Sequence, residues 1–540
     1  MKRRSVILGI GFVLVAILGY FVARSAAPES VPKTGLSKQA SARPVIMADI
    51  EAPKFRRAER PPVSDRDHGA MAAGALPNQR VLLFKDKDAM ARFLARLGGG
   101  VDLLGKLDAL NALRVGFGNY DDLAALLNGD EEESFVFPVN APAPPEGTVQ
   151  PGAMALGPRL LDWLGVSGDN SQWGQGVTVA VLDTGVTAQS AFSTSIQSIN
   201  LVPVSSDPAA QNGHGTAVAS LIIGNDSLTP GVAPSANILS IRIANDAGQS
   251  DSFLLAQGIV TAIDSGARLL NISMGSLGDS AVVRNAVAYA RQYGAVIVAA
   301  SGNNGLNQVS YPAANEGVIA VGAVDALGDH LDFSNSGQSI AIAAPGLGVN
   351  AAWTRGEAVG FTGTSASAPI VAGAIAAVMT QPGNRNLTPA QAWNLLAAYL
   401  NDGGAAGSDS KLGGGMPDIG RVLNAGTRGI YDAAVASSRI IPANGGNPYG
   451  QVEVLVQNRG TETLVNTSVE VTAGGRSVVR NITALAPNAV TTVQVPISNP
   501  PSAGNSSFNV VSRVRTSGGV NDVKPSNDRR SETYVAAGAK

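Results

Sequence analysis

Four side chains in this sequence have the types needed to carry out acyl transfer together: Asp183, His214, Asn303 and Ser365. A serine hydroxyl is a poor nucleophile until an imidazole takes its proton. The imidazole works better when a buried carboxylate fixes its tautomer and stabilises its cation. Asp183 closes the apolar run VTVAVL and precedes Thr184-Gly185, so its carboxylate leaves a sheet at a carboxyl edge. His214 lies between two glycines in Asn212-Gly213-His214-Gly215-Thr216, just ahead of AVASLII, which reads as a helix. Ser365 sits in Gly363-Thr364-Ser365-Ala366-Ser367-Ala368-Pro369, with IVAGAIAAVM continuing as a buried helix. Pro369 is placed in that helix's first turn, where amides have no intrahelical acceptor. A serine at a helix N-terminus has free backbone N–H groups aimed at the charge that develops on an attacked carbonyl oxygen. Asn303 follows the strand-like AVIVAAS and offers a second, uncharged donor. One such donor is worth about 2.7–4 kcal/mol of barrier. Each residue alone has a plain structural reading, as a turn cap, a packed imidazole or an N-cap. Together they fill every role of one reaction.

The chain must build elements that bring these residues together. At 540 residues it has room for three or four domains. With 45% hydrophobic and 15% charged residues it can bury a large core. Lys plus Arg (39) against Asp plus Glu (41) leaves a net charge of -2 with no basic block, which argues against nucleic acid as a partner. Cys is 0, which removes disulfides, thiolate zinc sites and a cysteine nucleophile at once. Only three histidines exist; His68 reads as a solvated linker residue and His330 as part of a surface turn.

Near-continuous apolar runs at 177–183, 236–243, 267–273, 295–301 and 318–324 alternate with helical segments such as 253–265 and 281–293. This pattern predicts a parallel sheet covered on both faces, with ligands at the carboxyl ends of its strands. Upstream, residues 80–139 read as βαββαβ: RVLLF, a helix capped by Asp86, a strand pair over VDLLGKLDALNALRVGFG, a helix opened by Asn119, and SFVFPV. The acidic run Asp130–Glu133 reads as a solvated loop. Beyond about residue 445, short alternating stretches separated by Asn, Gly and Pro predict a β-sandwich. Seven prolines between 28 and 78 make a flexible tether.

Lys2-Arg3-Arg4 precedes 18 uncharged apolar residues, Val6–Ala23. A helix of that length rises about 27 Å and spans a membrane, with the basic side in the cytoplasm. Ala23-Arg24-Ser25 also fits a signal-peptide cleavage site, so the chain is read as exported: either anchored in the inner membrane and facing the periplasm or exterior, or secreted after cleavage.

The order Asp, His, Ser separates the folds that use such a triad. The α/β-hydrolases place serine first, in Gly-x-Ser-x-Gly, whereas here it comes last and position 367 is Ser; an order with His before Asp fails as well. DTG at Asp183, NGHGTAVAS, AASGNNG and GTSASAPIVAG resemble the four active-site blocks of subtilisin-like serine proteases, the subtilases. GVAPSANILSIRI, NISMGS, YPAANEGVIAVGAVD and GGGMPDIGRVLNA extend the likeness over about 270 residues. GTSASAP is also similar to the sedolisin motif, but those enzymes use Glu and Asp where this chain has His214 and Asn303.

The resemblance implies an α/β fold: a subtilisin-like three-layer parallel sheet over 152–425, preceded by a small α+β propeptide (80–141) and followed by an all-β sandwich (445–540) similar to CARDB or fibronectin-like modules. Residues 1–24 and 25–79 are the export segment and the linker. It implies Asp183, His214 and Ser365 as triad and Asn303 as oxyanion donor. Ser273, Met274 and Gly275 with Ala300, Ser301 and Gly302 would line an open apolar specificity pocket and pair with substrate backbone. Polypeptides are the implied substrates. The propeptide is the implied intramolecular inhibitor, with Phe137-Pro138-Val139-Asn140 in the cleft until self-cleavage between 138 and 152. No cofactor is needed for the chemistry. The stretch around Asn225-Asp226 is about two residues shorter than in relatives that bind calcium there, which speaks against a structural calcium. The competing readings are a catalytically silent scaffold whose sandwich binds a cell-surface partner, and an esterase or ligase on the same triad.

Overall fold

In this computed structural model the described residues are 65–142, 149–207, 211–381, 387–441, 450–496, 507–517 and 520–535. The chain divides into Met1–Ala58 and Glu59–Lys540. The apolar run at 6–23 and most of the tether lie outside the described residues. Among the described residues no helix is long and apolar enough to cross a membrane.

The tether ends earlier than its composition suggests. Residues Asp65–Ala72 form helix α1. Alanines give it no strong period, yet Ala70, Ala73 and Ala75 pack against Phe135 and Phe137. His68 lies on this helix rather than in a linker. An antiparallel sheet in order β2-β3-β1-β4 follows, built from β1 (Gln79–Phe84), β2 (Val101–Leu107), β3 (Ala112–Phe117) and β4 (Glu131–Phe135). Helices α2 (Lys87–Leu94) and α3 (Tyr120–Ala124) cover it. Asp86 caps α2 by accepting from Ala89 N, which turns Met90 and Phe93 into the core. The acidic run is no loop: Glu131 begins β4, while Asp130 pairs with Lys85 at 2.7 Å and Arg92 at 2.9 Å. Hydrogen bonds from Lys85 and then Arg92 hold the Asp130 carboxyl down to about 2.

The next segment supplies α4 (Leu160–Trp163) and a seven-stranded sheet in order β11-β10-β9-β8-β5-β7-β6. Its strands are β5 (Thr178–Asp183), β6 (Ile196–Asn200), β7 (Asn237–Arg242), β8 (Leu269–Ile272), β9 (Val296–Ala300), β10 (Val318–Val324) and β11 (Ile340–Pro345), and every pairing is parallel. Helices α5 (His214–Ile223) and α8 (Thr364–Thr380) bury one face, and α6 (Ser252–Asp264) and α7 (Ala281–Gln292) the other. Two covered faces explain why the central strands carry no polar alternation. An antiparallel hairpin, β12 (Val349–Ala352) and β13 (Ala358–Phe361), rises before α8, and α9 (Pro389–Ala397) and α10 (Ile419–Asn424) finish the body.

The sandwich begins at Ala433, upstream of the expected 445. Strand β14 (Ala433–Ile441) pairs with β15 (Gln451–Asn458), which pairs with β18 (Val490–Pro496). The second sheet runs β17 (Arg476–Leu485), β16 (Leu464–Ala473), β19 (Ser507–Arg515), β20 (Arg529–Val535). The first six residues of β14 are all buried, which erased the alternation that marks a half-exposed strand.

Candidate active site

Chain order places the sheet's reversal at β5: the chain steps outward to β6, returns through β7, then crosses to β8 on the other side. Ligands of such sheets sit at the carboxyl ends of the strands beside that reversal. Asp183 is the last residue of β5 and fully buried, and His214 is the first residue of α5 and 4% exposed. The His214 Nδ1 lies 2.8 Å from Asp183 Oδ1 and 3.0 Å from Oδ2. Thr184 N donates to the same carboxylate at 2.7 Å. The imidazole is thereby oriented through Nδ1, and its Nε2 is buried with no partner.

The flanking glycines are steric necessities. A Cβ on Gly213 would overlap the Trp353 ring, and one on Gly215 would run into Gly185 O and Asp183. Thr184 ties the corner together, donating to Asn212 O at 3.2 Å and accepting from Gly215 N at 3.0 Å. Phe361 stands edge-on to the imidazole, with ring centroids 5.3 Å apart at 75°.

Ser365 occupies the second position of α8, where its N–H has no intrahelical acceptor. Pro369 lies in the second turn rather than the first, four residues beyond Ser365. Its missing N–H leaves the Ser365 carbonyl without its helical donor. The Ser273 hydroxyl supplies that donor at 3.1 Å, itself held by Asn271 Nδ2 at 3.0 Å. In return the Ser365 hydroxyl donates to the Ser273 carbonyl at 3.0 Å.

Asn303 follows β9 and is oriented by Thr364: its Oδ1 accepts from Thr364 N and from Thr364 Oγ1, both at 2.8 Å. Its Nδ2 is left buried without a partner, the state expected of a donor waiting for an oxyanion. His214 and Ser365 line one cleft of about 610 Å³ with Asn212, Trp353, Phe361 and the two residues Ala141 and Pro142.

Of the six residues expected to line a specificity pocket, Gly275 forms an antiparallel bridge with Asn140, and Ser273 engages Ser365 as above. Met274 is buried, as are Ala300 and Ser301. Ser301 N donates to Val321 O and its carbonyl accepts from Ser310 N, so both are spoken for within the body. Gly302 N donates to Thr364 Oγ1 at 3.2 Å. None of the six lines the cleft that holds His214 and Ser365. The residues that sequence reading missed are Thr184, Asn271, Thr364, Trp353 and Phe361. The two threonines stand beside residues already singled out, where a hydroxyl is a ready orienting group. The aromatics come from a hairpin with no motif to mark it.

Around Asn225-Asp226, the Asp226 carboxylate accepts from Leu228 N, Thr229 N and the Thr229 hydroxyl. Among the described residues no group of three or more His, Asp or Glu could hold a metal.

The family model of the subtilases matches residues 174–415. A thermostable alkaline protease of Halalkalibacterium halodurans is 37% identical over 275 residues, 49% of this chain and 73% of that protein. Subtilisin Savinase of Lederbergia lenta is 38% identical over 209 residues, 38% of this chain and 77% of that protein. The crystal structure of the epidermin leader peptide processing serine protease of Staphylococcus aureus shares the fold, at a TM-score of 0.53 and 19% identity, over 65% of this chain and 98% of that one. The chain belongs to the subtilase family of serine proteases.

Proposed function

We propose that the chain is an exported endopeptidase that cuts polypeptides through an acyl-enzyme and is made as a self-inhibited precursor. His214 Nε2 takes the Ser365 hydroxyl proton as Oγ bonds to the scissile carbonyl carbon. The oxyanion is held by Asn303 Nδ2 and the Ser365 N–H. Collapse breaks the C–N bond, and the leaving amine departs with the proton from His214. Water then gives a proton to His214, its oxygen attacks the ester, and the serine oxygen leaves with that proton. Asp183 fixes the imidazole tautomer throughout. The observation that carries this reading is the Asp183 carboxylate at 2.8 Å from His214 Nδ1, with the opposite ring nitrogen unpartnered in a cleft shared with Ser365.

The inhibitor reading of 80–141 is supported by its last segment. Val139 N donates to Ser250 O, Ala141 N to Gly248 O, and the chain enters the cleft at Ala141 and Pro142. The apolar run at 6–23 supports export. The sandwich is proposed as an accessory module, and no cofactor enters the chemistry. The test is covalent labelling with a serine-directed phosphonofluoridate followed by mass spectrometry. A single adduct on Ser365 is expected, and labelling elsewhere would sink the reading. Ser365→Ala is expected to leave an uncut chain.

A further inference from the structure

We propose that Pro142 is a brake on self-cleavage, acting by what it lacks, a backbone N–H; this regulation rests on the protease reading above. The segment before the cleft runs as an extended strand between two edges. Phe137, Val139 and Ala141 give their N–H groups to Ser252 Oγ, Ser250 O and Gly248 O at 3.1, 3.0 and 2.8 Å. Successive N–H groups of a strand point to opposite sides, so positions 138, 140 and 142 face the other edge. There Asn140 is bridged antiparallel to Gly275. Two residues further in the same register bring position 142 opposite Ser273. An ordinary residue at 142 would offer its N–H to the Ser273 carbonyl. Proline has none to offer.

The Ser273 carbonyl has taken a different donor, the Ser365 hydroxyl at 3.0 Å. His214 Nε2, the atom that must receive that proton, is buried and unpartnered in the same cleft. The nucleophile is therefore parked on an acceptor that a bound chain with an N–H at this position would compete for. The clamp is two-sided, since the Ser273 hydroxyl also holds the Ser365 carbonyl freed by Pro369. A substrate whose corresponding residue is not proline supplies the competing donor and releases the hydroxyl towards His214. The chain's own segment does not, so in the precursor the serine hydroxyl stays on the Ser273 carbonyl.

Self-cleavage of the purified full chain, followed by gel at several protein concentrations to isolate the concentration-independent rate, tests this. Pro142→Ala and Pro142→Val differ in bulk and share the restored N–H. Both are expected to process about tenfold faster or more, the effect of one neutral hydrogen bond, ~1.4 kcal/mol. Unchanged or slower processing in either variant overturns the brake; acceleration by Ala alone would mean that fit, not the N–H, sets the rate. The protease reading fails separately: it does so if Pro142→Ala combined with Ser365→Ala still processes, or if processed wild-type protein leaves casein intact.

Discussion

The two domains that flank the parallel sheet are fastened to it by opposite chemistry. On the N-terminal side the contact is apolar: Val81, Leu83, Leu107, Val136 and Val139 share one buried cluster with Phe253, Ile259 and Val283. Its polar contacts are mostly helix ends, with Ser134 Oγ accepting from Ala281 N and Ser280 Oγ donating to Phe135 O, both at 3.0 Å. The C-terminal joint is built from guanidiniums, buried at Arg421 and half-buried at Arg459 and Arg530. Arg421 donates to Tyr399 O, Leu400 O, Asn401 Oδ1 and Asn488 Oδ1. Arg459 reaches Gln457 Oε1 and Asp402 O, and Arg530 pairs with Asp329. A separated apolar face costs in proportion to its area, and the helix ends it exposes are satisfied by water. Pulling out a buried guanidinium strands several acceptors at once. The first attachment suits a domain that leaves; the second suits one that stays.

The largest effect that could break this contrast is at Arg421. Arg421→Ala is expected to destabilise the joint by about 3–5 kcal/mol, lowering the thermal midpoint and exposing residues 433–535 to limited proteolysis. An unchanged midpoint would remove the basis for calling the C-terminal joint the permanent one. Next is Phe137→Ala, tested in a Ser365→Ala chain so that it stays whole. The Phe137 ring fills the space over Gly278 and packs on Phe135, so the loss is expected at about 3 kcal/mol. Hydrogen exchange should rise across residues 79–135 and stay slow in Thr178–Asp183; a uniform rise would show that the N-terminal domain is not a separable unit. Arg114 is the exception on that side, donating to Asp251 at 2.7 Å and to Gln79. Arg114→Ala is expected to cost about 2 kcal/mol and to speed exchange in the same residues. A larger effect than that of Phe137→Ala would reverse the claim that this face is held by apolar contact.

How far the sequence could be read follows the same division. The five central strands were legible because burial on two faces leaves unbroken apolar runs, while β6, with Ile196 and Ile199 half-buried and polar residues between, carries too little pattern at the sheet's edge. Asp183, His214, Ser365 and Asn303 were legible because each sits near the end of an element, in a run of small residues that the close packing around the site requires. The position of Pro369 within its helix was not, since the helix start depends on Gly363, whose positive φ is a backbone property. Nor was the Ser273 clamp on Ser365, which joins positions 92 apart through one carbonyl and one hydroxyl. Strand β14 escaped because its first six residues are all buried and leave no alternation, and helix α1 because its short, mostly polar sequence carries no apolar period.

The smallest expected effect lies at His330, between the two attachments. Its carbonyl accepts from Gln150, where the chain enters the catalytic body, and the preceding residue, Asp329, pairs with Arg530 of the sandwich. It is half-buried rather than a surface turn residue, and both ring nitrogens are buried without partners. Burial, reinforced by Lys411, pushes the His330 pKa down to about 4, with Asp332 and Asp409 opposing more weakly. An unfolded imidazole titrates near 6.5, so between those values the unfolded chain binds a proton that the folded chain does not. This contribution to stability is whole above about pH 6.5 and is lost as the pH falls towards 4. Because the ring is partly exposed, the expected loss from pH 7.5 to 5 is on the order of 1 kcal/mol. Urea midpoints of Ser365→Ala and of Ser365→Ala with His330→Gln, measured at both pH values, isolate it. The glutamine variant should lose less stability on acidification. Equal losses would place the acid sensitivity away from the chain's entry point, and outside the buried carboxylates of the C-terminal joint as well, since burial raises Asp329, Asp402 and Asp432 there and a raised carboxyl gains stability as the pH falls.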